Sequence, residues 1–314
     1  MNINGLLKTL PMGTLRHFLN FSRSANNLHE KIEAEYYKRL LKLGNSDVNK
    51  TERAVPAEEL TPVFVLSTGR CGTKTMAALA DLMPNVDSHH EPDPILFEAS
   101  YLYFMKFCSD TPGDFWQKLL AANRDELIRQ ANRSGKIYFE TNNRMALLCD
   151  LLIEHYPKAK FVHPVRHPCD FVRSGIRRNY FNSHSWDFAR ITPLPREEFH
   201  AKWNETSQLE KCAWLWAKTN SHIDSTLQNI SADRKLFMRS EDIFNNTGNC
   251  VQTVLSFIDE EKIPDSKKIE KVLGMKLNQQ TYGRFPKSGD WSPEESEILR
   301  YHCGALMEKY GYEL

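Results

Sequence analysis

Apolar residues along the chain follow two spacings. Residues 63–66 (VFVL) form a short continuous apolar run, the pattern of a strand buried on both faces. Residues 136–140 (KIYFE), 160–165 (KFVHPV) and 235–239 (KLFMR) read as further strands, and 86–90 is a short one after the break at Pro84 and Asn85. Helical spacing fills the gaps: from Thr73 to about Leu82, then 95–108, 115–131, 145–156, 170–178 and 209–230. Three more helices follow at 250–258, 266–273 and 293–310, the last closed by Gly311. Strands and helices that alternate in this way predict an α/β fold: a central, mostly parallel sheet flanked by helices on both faces.

Two regions stand outside that alternation. Leu6, Leu7, Leu10, Leu15, Phe18 and Leu19 fall near helical spacing, and a second helical pattern from Leu28 to Leu43 stops at Gly44. With the polar connector 45–59, they divide the chain into an N-terminal helical extension, 1–60, and a main domain, 61–314. Lys8 and Arg16 among the first apolar residues allow weak contact with a membrane surface. The second region, 179–200, is irregular, carries proline and is rich in aromatics; a long insertion of that composition in a compact domain is read as ordered and functional.

Composition narrows the partners. Lys and Arg number 41 and Asp and Glu 40 among 314 residues, so the overall charge gives no reason to expect nucleic acid. The seven cysteines are scattered without a CxxC pair, which argues against a disulfide framework or a familiar zinc site and for a reducing compartment. No apolar run is long enough to span a bilayer, and residues 1–21 lack a signal-peptide layout, so a cytoplasmic location is expected.

Candidate chemistry gathers in three segments. At the end of the first strand, Ser67, Thr68, Gly69, Arg70, Cys71 and Gly72 form a glycine-bearing turn leading into Thr73, Lys74 and Thr75 at a helix start. Unpaired backbone N–H groups and the positive end of a helix dipole make such a turn a phosphate cradle, with Arg70 adding a fixed charge. In 165–178 (VRHPCDFVRSGIRR), Arg166 ends a strand, Pro168 opens a helix and Ser174 lies further along it, a second phosphate contact. Lys287, Ser288 and Gly289 form a small basic loop able to close over an anion.

Together these segments resemble sulfotransferases that use 3′-phosphoadenosine 5′-phosphosulfate (PAPS). Arg70, Cys71, Gly72 and Thr73 match the family's 5′-phosphosulfate loop, and Arg166, Pro168, Asp170 and Ser174 match its 3′-phosphate signature. Residues 139–168 are similar to the segment before that signature in carbohydrate and tyrosyl-protein sulfotransferases, and the end of the chain is similar to the family's C-terminus. The resemblance spans roughly 62–312 and implies a P-loop-like sulfotransferase fold. It also implies PAPS as co-substrate, 3′-phosphoadenosine 5′-phosphate (PAP) as product, no metal, and a hydroxyl-bearing acceptor: a glycan, lipid or metabolite. The chain departs from the pattern in two ways: Cys71 stands where Ser is usual, and Thr141 and Asn142 fall where many relatives carry a Lys, with Arg144 a candidate for the displaced charge.

Sulfuryl transfer needs a base for the acceptor hydroxyl and positive charge on the leaving phosphate. Glu91 in HHEPDP is the expected base and Arg70 the stabiliser; Asp93, His90, His163 and His184 compete for the first role. Two other readings stay open. One is a P-loop kinase or NTPase, because Thr73, Lys74 and Thr75 imitate the end of a triphosphate loop, although Thr73 stands where that motif requires glycine. The other is a non-catalytic binding protein on a sulfotransferase fold.

Overall fold

The computed structural model describes residues 55–105, 114–245, 249–275 and 291–313. The expected N-terminal helices, with their membrane contact, and the basic loop Lys287, Ser288 and Gly289 lie outside the described residues.

Five strands form one sheet: β1 (Val63–Val65), β2 (Val86–His90), β3 (Ile137–Thr141), β4 (Lys160–Val165) and β5 (Lys235–Arg239). Their order is β2-β3-β1-β4-β5 and every pairing is parallel, as the alternation of strands and helices predicts. β1 lies at the centre, buried along its whole length. Its side chains point alternately to two cores. Phe64 packs with Tyr138, Tyr156 and Phe161 on one face. Val63 and Val65 pack with Met76, Leu79 and Ile258 on the other.

Helices cover both faces. They are α1 (Thr73–Ala80), α2 (Phe97–Met105), α3 (Phe115–Arg133), α4 (Cys149–His155), α5 (Pro168–Arg177), α6 (Gln208–Leu227), α7 (Ser240–Phe244), α8 (Cys250–Ile258), α9 (Ser266–Leu273) and α10 (Pro293–Tyr310). A third core joins α5, α6 and α10 around Trp214, Trp216, Cys303 and Met307. α10 carries a capping box between Ser292 and Glu295, Pro293 in its first turn and left-handed Gly311 after its end.

Three local features have simple causes. The helix expected over 145–156 opens as a tighter turn, Met145–Leu148, through hydrogen bonds from the Met145 N–H to the Asn142 carbonyl and from Leu147 to Arg144. The described end of the connector expected over 45–59 is packed: Val55 and Ala57 lie against the core, and Arg129 donates to the Val55 carbonyl at 3.0 Å. The aromatic insertion holds short 3-10 turns at Asp187–Ala189 and Glu198–Glu205, and its Phe199 packs with Trp203 and with Trp214 of α6 as a ring cluster.

Candidate functional site

In an open parallel sheet, ligands bind at the carboxyl ends of the strands, beside the strand from which the chain winds both ways. Here the carboxyl ends of all five strands deliver residues to one cavity of about 1340 Å³. Its lining includes Arg70 and Thr73 after β1, Glu91 after β2, Arg144 after β3, Arg166 after β4 and Ser240 after β5. Although the chain is nearly neutral overall, seven arginines and Lys74 line this cavity against five carboxylates among the described residues.

The loop after β1 shapes itself. The Gly69 N–H donates to the buried Ser67 hydroxyl at 3.1 Å, and Thr68 and Cys71 both reach back to the Gly69 carbonyl, at 3.1 and 3.2 Å. Gly69, Arg70 and Gly72 all adopt positive φ, of 75°, 61° and 74°. Gly72 is required twice over, since a Cβ there would also come within 2.6 Å of the Phe244 ring. No side chain caps the N-terminus of α1, which leaves its first backbone N–H groups turned to the cavity mouth.

Arg70 leaves this loop and donates through Nε to the Ser174 hydroxyl at 3.1 Å, while Arg166 donates to the Arg70 carbonyl at 3.0 Å. The two segments singled out by the sequence are therefore one contact. Burial, and then the nearby Arg178, holds the Arg70 guanidinium below its ordinary range. Trp216, fully buried, donates from its indole to the Arg166 carbonyl at 2.8 Å and fixes the end of β4 from behind. Tyr312 adds a second brace, with its hydroxyl 2.8 Å from the Val165 carbonyl and 2.7 Å from Glu241.

Gly69, Arg70, Gly72, Thr73, Lys74 and Thr75 line the cavity; Ser67, Thr68 and Cys71 do not. The Cys71 side chain is fully buried beneath the loop, and burial pushes its thiol up. Within the loop the Thr68 hydroxyl donates to the Gly69 carbonyl, and the Ser67 hydroxyl accepts from the Gly69 N–H. Lys74 is exposed at the start of α1. Of the competing bases, Asp93, His90 and His184 line the cavity, whereas His163 lies buried against Asn220 and Asp224.

Glu91 is exposed, follows β2 at φ 51° and has its N–H bonded to the Thr141 carbonyl at 3.0 Å. What holds its loop is remote in sequence. Arg124 of α3 and Glu140 of β3, both fully buried, form a bidentate pair at 2.8 and 3.1 Å. The same Arg124 donates to the Pro94 carbonyl at 2.9 Å and the Pro92 carbonyl at 3.4 Å, and Tyr138 and Asn142 donate to Glu140 at 2.8 and 3.1 Å. Burial works against the Arg124 charge, but Glu140 outweighs it and holds the guanidinium above its ordinary range. Neither residue stands out in the sequence, because an arginine on an amphipathic helix and a glutamate ending a strand read as solvated positions.

Arg144, expected only as a candidate for a displaced charge, lines the remaining wall with residues that sequence reasoning did not single out. The Arg144 guanidinium lies 3.5 Å from the centre of the Phe97 ring and that of Arg190 lies 3.6 Å from the Tyr180 ring. Trp186 continues the aromatic surface, 4.9 Å from Phe97.

The site thus joins a self-shaped loop at the central strand of a parallel α/β sheet to a strand-end arginine. The chain belongs to the sulfotransferase family, whose sequence model matches residues 62–265. Sulfuryl transfer to a hydroxyl acceptor is thus its class of activity. Among solved structures it is similar to the sulfotransferase domain from the curacin biosynthetic pathway, at 14% identity over 83% of this chain and 100% of that one, with a TM-score of 0.45. It is also similar to a sulfotransferase from Alicyclobacillus acidocaldarius (16%, 81% and 97%, 0.46) and to sulfotransferase STF9 from Mycobacterium avium (14%, 83% and 79%, 0.49). No curated protein sequence matches it. No helix among the described residues is long and apolar enough to cross a membrane.

Proposed function

We propose that the protein transfers a sulfuryl group from PAPS to a hydroxyl of a glycan, lipid or small-molecule acceptor. The observation that carries this reading is the Arg70 to Ser174 hydrogen bond, which joins the loop after β1 to the helix after β4. A nucleotide with phosphate at both its 5′ and 3′ positions suits a site with two such halves.

Several features of the chain fit that nucleotide. The uncapped α1 N-terminus and the glycine backbone suit the 5′ end, Arg166 and Ser174 suit the 3′-phosphate, and the buried Nε of Arg178 has no hydrogen-bond partner of its own among the described residues. Phe244, 52% exposed against Gly72, offers a flat apolar face for a purine. PAPS, when bound, supplies the sulfuryl group and a phosphate leaving group. Glu91 takes the acceptor's hydroxyl proton as the acceptor oxygen bonds to sulfur. Arg70 neutralises the charge that gathers on the bridging oxygen as its bond to sulfur breaks, leaving PAP and a sulfate ester. Both residues sit at positive φ, a conformation held at some cost and common where side chains must be aimed. The described cysteines are all free thiols, which supports a cytoplasmic location.

Titration with PAP in the absence of magnesium tests the reading. Tight binding is expected, and Ser174→Ala or Arg166→Ala is expected to weaken it by about tenfold or more, the worth of one charge-assisted hydrogen bond. A preference for ATP with magnesium over PAP sinks the proposal in favour of a kinase.

A further inference from the structure

Five of the seven arginines in the cavity fall into two groups by their surroundings, and the nucleotide proposed above as donor suits the first. The first comprises Arg70, Arg166 and Arg178, gathered around Ser174 and the loop after β1. The second comprises Arg144 and Arg190, on the wall formed by the turn after β3 and the aromatic insertion. Tyr180 lines the same cavity, and its ring carries the Arg190 guanidinium.

The two arginines of the second group are provided for differently. Arg190 donates from Nε to Asp187 at 2.9 Å, and its Nη2 lies 3.4 Å from the His184 ring. Arg144 stacks on Phe97 and spends one hydrogen bond, from Nη1 to the Ala189 carbonyl at 3.3 Å. Among the described residues no carboxylate lies within ion-pair distance of it; Glu91 and Glu98 favour its charge only from further away. Burial, and then Arg190, lowers its pKa to about 10. A guanidinium has five N–H donors in a planar fork matched to an oxyanion. Here most of that fork is unspent, in a cavity wall, beside a second arginine. Next to it, Trp186 and Phe188 are 51% and 60% exposed and pack with Phe97, a flat apolar surface reaching outward from the charge.

We propose that Arg144, supported by Arg190, binds an anionic group belonging to the acceptor itself, a carboxylate or a sulfate carried near the hydroxyl presented to Glu91. The inference rests on the donor reading above and narrows the acceptor to an acidic one, with the Phe97, Trp186 and Phe188 surface receiving its ring or chain. Charge on the acceptor then selects it, because a neutral analogue leaves the Arg144 fork unpaired.

The test uses the full chain saturated with PAP, so that the first group is occupied, and isothermal titration with sodium glucuronate, sodium sulfate and, as neutral control, glucose. Saturable binding of at least one of the two anions, but not of glucose, is expected; which of them binds tells carboxylate from sulfate. Arg144→Gln is expected to weaken that binding by about tenfold, the value of a charge-assisted contact, with PAP affinity unchanged. Arg144→Lys, which keeps the charge but not the fork, is expected to fall between, and PAP binding reports that each variant is folded. The inference is overturned if neither anion binds once PAP is in place, or if Arg144→Gln leaves anion binding intact. It is overturned equally if Arg144→Gln weakens PAP, which would move Arg144 to the donor. Failure of the wild-type protein to bind PAP is a different result, and overturns the donor reading on which this one stands.

Discussion

The loops after β1 and β2 face one cavity and are held by opposite means. The first is closed by its own residues: Ser67, Thr68 and Cys71 bond within it, and Gly69 and Gly72 supply the left-handed backbone. The second has little of its own. Its shape depends on Arg124, more than thirty positions along the chain, whose guanidinium holds two of its carbonyls while paired to Glu140 in the core. A self-closed loop should lose strength by degrees when altered, because each contact is small and replaceable. A loop hung from one buried ion pair should fail together with it, since removing either partner leaves a charge without solvent or counter-charge.

The largest effect is expected where the second loop meets chemistry. Glu91→Gln should cut turnover by about 10²–10⁴-fold, the range for loss of a general base, with PAP affinity and unfolding midpoint unchanged. Turnover within about threefold of wild type would move the base to Asp93, His90 or His184, the nearby groups that also line the cavity. Arg124→Ala or Glu140→Ala comes next. Breaking this fully buried pair from one side should cost about 3–5 kcal/mol of stability, read as a fall in the denaturant midpoint. Replacing both partners with apolar residues should cost much less and still lower turnover, because Pro92 and Pro94 lose their donor. If Arg124→Ala costs under about 1 kcal/mol, the loop is not hung from this pair and the contrast with its neighbour fails.

A smaller loss is expected in the first loop. Gly72→Ala places a Cβ at φ 74°, which costs about 1–2 kcal/mol by itself. It also drives that atom against the Phe244 ring, the mobile end of an exposed side chain. Adding Phe244→Ala should recover only the steric part, and a double-mutant cycle on unfolding free energies separates the two. Full recovery in the double variant would mean that the backbone conformation at Gly72 is not the constraint.

The same contrast explains what could be read from the chain. The parallel sheet follows from apolar runs and helical spacing, both local patterns. So does the loop after β1, whose glycines and α1 start stand side by side in GRCGTKT. Arg166 and Ser174 were legible because proline fixes a helix start between a strand end and a serine. The pair Arg124 and Glu140 was not, since nothing local distinguishes a buried arginine from a solvated one until the fold brings its partner. Arg144 was visible only as a displaced charge; its stacking on Phe97 is a tertiary fact. The helix start at Met145 was misread for a related reason: the turn that tightens it is a backbone hydrogen bond to Asn142 at the strand end, not a side-chain pattern.

The smallest effect concerns the position where the chain departs most visibly from its family's pattern. Sequence alone suggests that Cys71 deprives the bound anion of a hydroxyl donor. The fold points the thiol inward instead, 3.2 Å from the Gly69 carbonyl and 3.3 Å from the Thr68 hydroxyl, fully buried and away from the cavity. A serine there would make the same inward bond with a stronger donor, and the backbone N–H offered to the anion would stay where it is. Cys71→Ser should therefore change PAP affinity by less than about twofold and stability by no more than about 1 kcal/mol, the net worth of one hydrogen bond. A gain in affinity of about tenfold would show the opposite: that the hydroxyl turns outward to the ligand, and that this loop is shaped by its occupant rather than by its own contacts.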